Sequence, residues 1–204
     1  MAMLVLGLTG PSGVGKGLVG RFLAAESIPS LDTDAVYHEL ISRSSPCTEE
    51  LKEHFGEIIL TESGAVDRKK LASLVFGEAP ENKQRLLLLN RITHRYVLEA
   101  CRHWLKKQEK EGNRAAVIDA PLLYESGFDK ECDFVIAVLA PRQTRLARIM
   151  LRDGISGDAA ERRISSQPGD DFYVQKADFV IRNDGEPQAV KQAVSNILCQ
   201  LSIC

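Results

Sequence analysis

A glycine-rich loop near the start of the chain constrains its fold more than any other feature. The segment Gly10–Lys16, which reads GPSGVGK, follows the apolar run Leu4–Thr9 and precedes an amphipathic stretch. In such a strand–loop–helix unit, glycines allow positive φ angles, and backbone N–H groups together with the helix dipole attract an anion. A lysine at the end of the loop adds a charge for the β- and γ-phosphates of a nucleotide. The residues expected to hold the phosphates are Gly13, Val14, Gly15, Lys16, Gly17 and Leu18.

Short apolar runs alternate with longer amphipathic stretches along the rest of the chain. This alternation is typical of βα units that build a parallel sheet covered by helices. We therefore predict an α/β protein with the P-loop NTPase fold and a parallel sheet flanked by helices. The five predicted strands are Leu4–Thr9, Ser27–Leu31, Ala115–Ile118, Phe134–Leu139 and Phe179–Ile181. The predicted helices are Lys16–Ala25, Asp34–Ser42, Glu49–Phe55, Arg68–Phe76, Glu81–Lys107, Arg142–Leu151, Asp158–Gln167 and Pro187–Leu201.

The predicted domain organisation is a single P-loop domain over residues 1–204, because single domains commonly reach roughly 200 residues. Within it, residues 34–111 contain no strand-like run and are expected to form a helical region that binds the substrate. Residues 141–168 are expected to form a helical lid. Gly154 and Gly157 interrupt that segment and predict a turn on which a lid could close over a nucleotide and exclude water.

The composition narrows the classes of function. Hydrophobic residues make up 44% of the chain and charged residues 26%, which is ordinary for a soluble globular protein. The net charge of −2 and the scattered basic residues argue against a nucleic-acid binder. The separated cysteines suggest neither a zinc site nor disulfide bonds, and no stretch is apolar enough for a membrane span. We expect a cytoplasmic protein.

Acidic residues follow two of the predicted strands. Asp32 and Asp34 come after the second strand, and Asp119 ends the third apolar run. Ligands of parallel α/β sheets bind at the carboxyl ends of the strands, so these carboxylates are expected to face the phosphates. We predict that Asp34 is the base that deprotonates an attacking hydroxyl, and that Asp32 and Asp119 contact a metal ion. The alternative is that Asp32 or Asp34 only caps the following helix.

The residue after the loop lysine is Gly17, where such loops normally carry a Ser or Thr whose hydroxyl binds Mg²⁺. Glycine cannot supply that hydroxyl. Either water and nearby carboxylates hold the metal ion instead, or the chain is a weakened or non-catalytic relative of active enzymes.

Further motifs follow the glycine-rich loop in order. They are Asp32-Thr33-Asp34, Val66-Asp67-Arg68, Asn90–His94, Asp119–Glu125, the set Arg148, Arg152, Arg163 and Gln167, and the segment Ala177–Asn183. Together with the loop, these motifs resemble the dephospho-CoA kinase family along nearly the whole chain. Several motifs in the right order are far more specific than the loop alone.

The resemblance implies a transferase that uses ATP and Mg²⁺ to phosphorylate the ribose 3′-hydroxyl of dephospho-CoA, the final step of coenzyme A biosynthesis. It implies Asp34 as the base, Lys16 and Arg152 as catalytic cations, and Arg148 and Asn183 as contacts of ATP. It implies no obligate protein partner and no nucleic acid or membrane. The residues that it implies for substrate binding are Thr9, Asp32, Arg68, His94, Leu122 and Glu125.

Three positions depart from the family pattern: besides Gly17, Arg95 stands where a proline is usual, and Tyr173 where a basic residue is expected. Two alternatives therefore stay open. One is a nucleoside monophosphate kinase, because the loop Gly10–Lys16 is also similar to that of guanylate kinases. The other is a nucleotide-binding pseudo-kinase that lacks full activity because of Gly17.

Overall fold

A parallel sheet organises the computed structural model, which describes residues 2–77 and 79–203. The sheet has five strands in the order β2-β3-β1-β4-β5. Strand β1 lies beside β3 and β4 in parallel register, and β4 lies beside β5. The strands are β1 Leu4–Thr9, β2 Ser30–Asp32, β3 Ala115–Asp119, β4 Phe134–Leu139 and β5 Phe179–Arg182.

Nine α-helices connect these strands within the described residues. They are α1 Lys16–Ala25, α2 Thr33–Ile41, α3 Pro46–Phe55, α4 Arg68–Val75, α5 Pro80–Lys110, α6 Arg142–Asp153, α7 Gly157–Ser165, α8 Asp170–Lys176 and α9 Pro187–Gln200. Short 3-10 helices lie at Glu57–Ile59 and Phe128–Glu131. The chain divides into two compact units, one of residues 1–31 with 105–204 and one of residues 32–104.

The first unit is built around the central strands β1, β3 and β4. Leu6 and Leu8 of β1 are fully buried and pack with buried residues of α1 and α9, among them Leu23 and Val194. Each such side chain stabilises the fold by roughly 1.5–3 kcal/mol relative to leaving it in water. The nearly continuous burial of these strands explains why their sequences are apolar at successive positions rather than alternating.

The second unit is helical and has its own apolar core. Its buried members are Ile41, Cys47, Leu51, Ile59, Val66, Leu71, Val75, Leu89 and Ile92. Side chains cap the helices at their N-termini: Ser45 and Thr48 form a reciprocal capping box at α3, and Asp67 accepts from two backbone N–H groups of α4. A cap of this kind contributes about 1 kcal/mol, which helps to fix where each helix starts.

The predicted sheet is confirmed, and β1, β4 and α1 have the predicted bounds. The predicted strand Ser27–Leu31 is wrong at its start, because the N–H groups of Ser27 and Ile28 still bond to carbonyls at the end of α1 and Ser27 has a φ of 59°. Those residues end a helix, so β2 begins only at Ser30. Helix α8 was not predicted; its sequence is short and polar, and Tyr173 is its buried residue.

Within the described ranges, no helix has both the length and the apolar character that a membrane span requires.

Candidate active site

Glycines shape the loop between β1 and α1 because a side chain would collide with its surroundings. Gly10, Gly13 and Gly15 all have positive φ angles. A Cβ atom at Gly10 would lie 2.3 Å from the carbonyl oxygen of Val138, and one at Gly15 would lie 2.3 Å from Nδ2 of Asn183. Both the backbone conformation and the available space therefore require glycine at these positions.

Donors from other elements bind the loop carbonyls on its outer side. The carbonyl oxygen of Ser12 accepts a 2.9 Å hydrogen bond from Arg145 Nε. Arg148 Nη1 donates to the carbonyls of Gly13 and Val14, at 3.4 and 3.1 Å, and Asn183 Nδ2 donates to Val14 at 2.8 Å. These contacts hold consecutive peptide planes of the loop in one orientation.

The orientation of those planes directs N–H groups to the opposite side. In a trans peptide, the carbonyl of one residue and the N–H of the next point in opposite directions. Since the carbonyls of Ser12, Gly13 and Val14 face their donors, the N–H groups of Gly13, Val14 and Gly15 face away from them. Such a run of N–H groups at the start of a helix is an anion-binding nest.

Lys16 and Asp119 meet beside this nest. Lys16 starts α1, Asp119 ends β3, and their Nζ and Oδ1 atoms are 3.8 Å apart. Both side chains are largely shielded, with 17% and 21% exposed. The structure therefore brings together the predicted phosphate lysine and one of the predicted metal carboxylates at the carboxyl edge of the sheet.

The segment after β3 lies next to the end of β1. Thr9 is fully buried, and its hydroxyl donates a 3.5 Å hydrogen bond to the carbonyl oxygen of Pro121. Leu122 is 48% exposed and Glu125 is exposed, so both side chains are accessible to a ligand. Thr9, by contrast, belongs to the wall of the site, and its predicted substrate contact stays a prediction.

Gly17 lies in the first turn of α1, is exposed, and has open space around the position of a Cβ atom. The missing hydroxyl is therefore not imposed by packing. The described residues contain no cluster of three or more His, Cys, Asp or Glu side chains able to hold a metal ion. A magnesium ion in P-loop enzymes usually keeps several waters and one or two carboxylates beside the substrate phosphates, and Asp119 beside Lys16 fits that donor set.

Arg152 forms an ion pair with the next residue in the chain. Its Nε and Nη2 atoms donate to the Asp153 carboxylate at 2.7 and 2.9 Å, and Arg163 pairs with the same carboxylate. Hydrogen bonds from Arg152, with the nearby positive charge of Arg163, lower the pKa of Asp153 to about 2. The predicted catalytic arginine thus has an acidic partner in this conformation, while Arg148 contacts the loop backbone.

The second unit carries the other predicted residues. Asp32 caps α2, since its Oδ1 accepts from the N–H groups of Asp34 and Ala35 at 2.9 and 3.4 Å. The side chain of Asp34 is exposed, as is that of Arg68 at the start of α4. His94 is half-buried on α5. Asp32 therefore has the capping role that was the alternative interpretation, and the role of Asp34 as the base stays a prediction.

Arg95 and Tyr173, the other departures from the family pattern, have structural partners. Arg95 forms an ion pair with Glu50 and lies over the ring of Tyr96. Tyr173 is buried, and burial raises the pKa of its hydroxyl to about 12. A basic side chain lies one turn further along α8, where Lys176 Nζ is 4.5 Å from the centre of the Phe172 ring.

Sequence reasoning missed Arg145 and Asp153. Arg145 is buried and binds the loop, and Asp153 holds Arg152. The spacing of Arg145, Arg148 and Arg152, at i, i+3 and i+7, places them on one helix face and could have drawn attention to Arg145. Asp153 is adjacent to Arg152 in sequence and gives no periodic signal.

The family model, the curated relatives and a solved structure all point to the same protein family. The sequence model described as dephospho-CoA kinase matches residues 4–189. A curated dephospho-CoA kinase of Corynebacterium efficiens is 34% identical over 199 residues, covering 98% of each chain. A solved structure from Thermus thermophilus, titled TT1252, has a TM-score of 0.82 at 28% identity and covers 98% of this chain and 99% of its own. The solved dephospho-CoA kinase of Campylobacter jejuni has a TM-score of 0.70 at 25% identity, with 97% and 96% covered. The chain therefore belongs to the dephospho-CoA kinase family.

Proposed function

We propose that this protein transfers the γ-phosphoryl group of ATP to the ribose 3′-hydroxyl of dephospho-CoA and releases CoA and ADP. The observation that carries the proposal is the nest of N–H groups at Gly13–Gly15 with Lys16 and Asp119 beside it, in a chain that belongs to this family. The reaction completes coenzyme A biosynthesis, and we propose that it takes place in the cytoplasm.

The triphosphate binds to the glycine-rich loop. The N–H groups of Gly13 to Gly15 and of the first turn of α1, including Gly17 and Leu18, bind phosphate oxygens. Lys16 supplies a point charge to the β- and γ-phosphates, as in other P-loop enzymes. Its neighbour Asp119 keeps the ammonium group at the carboxyl edge of the sheet. Because side-chain donors already bind the loop carbonyls on its outer side, the loop does not need to rearrange before it stabilises the developing charge.

Asp34 accepts the proton of the attacking hydroxyl. Its N–H is engaged by Asp32, and its own carboxylate is exposed. The ribose 3′-oxygen forms a bond to the γ-phosphorus, the bond to the bridging oxygen breaks, and its electron pair leaves with ADP. The transition state of such a transfer is loose, so alignment and charge stabilisation contribute most of the rate.

The remaining predicted contacts divide between nucleotide and acceptor. Arg152 leaves Asp153 and binds the transferring phosphoryl group when the lid closes, while Arg148 and Asn183 hold the loop in the shape that ATP requires. The acceptor contacts are Arg68, His94, Leu122 and Glu125, with Thr9 in the wall and Asp32 near the acceptor.

Magnesium, when bound with ATP, would neutralise part of the phosphate charge. Asp119 is the carboxylate of the first unit that would hold it, and Asp32 is the proposed second. Gly17 has no hydroxyl to offer, so the remaining oxygen ligands would come from the phosphates and water.

A coupled assay for ADP release tests the proposal with the purified chain, ATP, Mg²⁺ and dephospho-CoA. We expect saturable turnover with dephospho-CoA and little with GMP, and Lys16→Met should abolish it without unfolding the protein. Turnover with GMP but not dephospho-CoA would instead identify a nucleoside monophosphate kinase. Binding of ATP without turnover of either acceptor would identify a pseudo-kinase.

A further inference from the structure

Arg145 is a buried cation for which the proposed reaction has no direct use. It lies in the first half of α6, and only 4% of the residue is exposed. Burial lowers the pKa of its guanidinium group, with the carboxylate of Asp170 acting in the opposite direction. A charge is kept in such a place only if hydrogen bonds and ionic contacts compensate for its lost hydration.

The partners of Arg145 belong to the phosphate loop, to the end of the lid segment and to the start of α8. Its Nε donates to the carbonyl oxygen of Ser12 at 2.9 Å, and its Nη2 donates to Oε1 of Gln167 at 3.4 Å. Its Nη1 lies 3.9 Å from Oδ1 of Asp170. The guanidinium group thus reaches three acceptors from three different nitrogen atoms held in one plane, a spread that the single ammonium nitrogen of a lysine does not offer.

Gln167 closes this network on the other side of Ser12. The N–H of Ser12 donates to the same Gln167 Oε1 atom at 2.9 Å. Both backbone polar groups of Ser12 are therefore fixed by side chains, the N–H by Gln167 and the carbonyl by Arg145. Hydrogen bonds on both sides favour one orientation of the peptide planes of this residue, and the plane that contains the Ser12 carbonyl also contains the N–H of Gly13.

The loop also packs directly against the backbone of Arg145. A Cβ atom at Gly13 would lie 2.7 Å from the carbonyl oxygen of Arg145 and 3.0 Å from its Cα. Close contact of two backbones complements the hydrogen bonds of the side chain. The first part of α6 therefore packs directly against the phosphate loop.

The two anchoring side chains bracket the predicted lid. Arg145 precedes Arg152 on α6, and Gln167 follows α7, which carries Arg163. Both ends of this helical hairpin are consequently tied to one residue of the phosphate loop, Ser12. The position of Arg152 relative to the phosphates therefore depends on the same contacts that orient the N–H of Gly13.

We propose that Arg145, acting together with Gln167 through Ser12, is a positioning residue that sets the nucleotide affinity of the phosphate loop and aligns the lid with it. This inference rests on the proposed function for the identity of the reaction, but its central claim concerns nucleotide binding alone. It predicts that ADP affinity depends on Arg145 even though this side chain faces the outer side of the loop.

Direct binding of ADP by titration calorimetry tests the claim without any acceptor. We expect Arg145→Met and Gln167→Leu each to raise the Kd for ADP about tenfold or more, on the scale of a hydrogen bond to a charged group. The double variant should have about the same Kd for ADP as whichever single variant binds ADP more weakly, because both side chains act on one residue. Arg142→Met is the matched control, since Arg142 lies on the same helix, is exposed and pairs with Glu161.

A conservative variant and a kinetic measurement keep the test informative if Arg145→Met does not fold. Arg145→Lys keeps the charge but loses the planar set of donors that Nε, Nη1 and Nη2 provide, so we expect a smaller increase in Kd and an intact thermal transition. In the full reaction, the anchoring variants should raise KM for ATP and also lower kcat, because the lid is misaligned. An unchanged ADP affinity in folded Arg145→Lys and Gln167→Leu, or additive effects in the double variant, would overturn the inference.

The outcome is separable from that of the proposed function. If dephospho-CoA is not turned over but ADP affinity still falls in the Arg145 variants, the anchor stands and the acceptor assignment fails. If turnover is normal and ADP affinity does not respond, the function stands and the anchor fails.

Discussion

The side-chain amide of Asn183 donates a 2.8 Å hydrogen bond to the carbonyl oxygen of Val14, although the two residues lie at opposite ends of the first unit's sequence. Asn183 directly follows β5, is 3% exposed, and its backbone N–H bonds to Leu139. The end of the last strand thus braces the phosphate loop. The shape of the phosphate loop therefore depends on this hydrogen bond.

Asn183→Asp should weaken the loop without changing the size of the side chain. The substitution replaces the amide donor by a carboxylate oxygen that faces a buried carbonyl. We expect the free energy of unfolding to fall by at least about 1–3 kcal/mol and the Kd for ATP to rise. Urea denaturation and ATP titration measure the two effects. Asn196→Asp on the exposed face of α9 is the control, because Asn196 acts there as an acceptor, and equal losses in both variants would contradict the brace.

Gly15→Ala should weaken nucleotide binding. Gly15 and Gly127 both have positive φ angles, of 88° and 75°, but only at Gly15 would a Cβ atom meet another group within 4 Å. The backbone strain, on the order of 1–2 kcal/mol, is therefore common to both alanine variants. We expect Gly127→Ala to bind ATP normally and Gly15→Ala to bind it at least about tenfold more weakly, as measured by calorimetry. Similar affinities in the two variants would refute the steric argument.

Gly17→Ser should improve the use of magnesium. Both Gly17 and Gly20 lie in α1 with open space around the Cβ position, so serine is tolerated at either site and should slightly stabilise the helix. We expect only the hydroxyl at position 17 to contact a phosphate-bound metal ion, because this is the position that directly follows the loop lysine. We expect the Mg²⁺ concentration for half-maximal turnover to fall by roughly threefold to tenfold in Gly17→Ser, a gain on the order of 1 kcal/mol. No difference from Gly20→Ser would mean that water already replaces the hydroxyl.

Asp34→Asn should lower turnover at least ~100-fold, the usual scale of general acid–base help. The N–H of Asp34 and the cap provided by Asp32 are retained, so the thermal stability should change little. Steady-state kinetics with dephospho-CoA measure the effect. Glu39→Gln is the control, because Glu39 is another exposed acid of α2 and pairs with Arg43. Turnover near that of the unchanged protein would remove Asp34 from the role of base.

The ion pairs of Asp153 should give a stability contribution that disappears in acid. Its pKa is lowered from 3.8 to about 2 by Arg152 and Arg163. A lowered pKa stabilises the folded state above the unfolded-state pKa and loses this effect as the pH falls through the folded-state pKa. The stability difference between the unchanged protein and Asp153→Asn should thus be constant above about pH 5 and vanish towards about pH 2. Chemical denaturation over this range measures it, with the exposed Asp184→Asn as control; a pH-independent difference would contradict the pairing.

Much of the sheet and the loop could be predicted from local sequence. Strand β1, the loop and α1 follow from apolar runs, glycines and a lysine in close succession, and their bounds agree with the structure. Strand β2 could not be bounded, because the turn at Ser27 depends on carbonyls at the end of α1. Helix α8 is short and has few apolar residues, so periodicity gives little signal for it.

The supporting network of the site was less accessible to sequence reasoning. A surface arginine and a buried one look alike in a helical pattern, so the choice of Arg145 for the loop depends on how α6 packs against Ser12. The role of Asp32 as a cap could be proposed from its place before a helix. The ion pair between Arg152 and Asp153 could not be predicted, because adjacent residues of opposite charge are common in sequences and do not usually indicate an ion pair.

The strand order has a consequence for how the protein forms during synthesis. Strand β1 is made first, yet both of its neighbours, β3 and β4, are encoded after the whole of residues 32–104. When the ribosome has released only the segment before Ala115, β1 has neither neighbour available for pairing, and its exposed edges invite aggregation. The helical unit, whose core contacts are all available by then, can condense before the sheet.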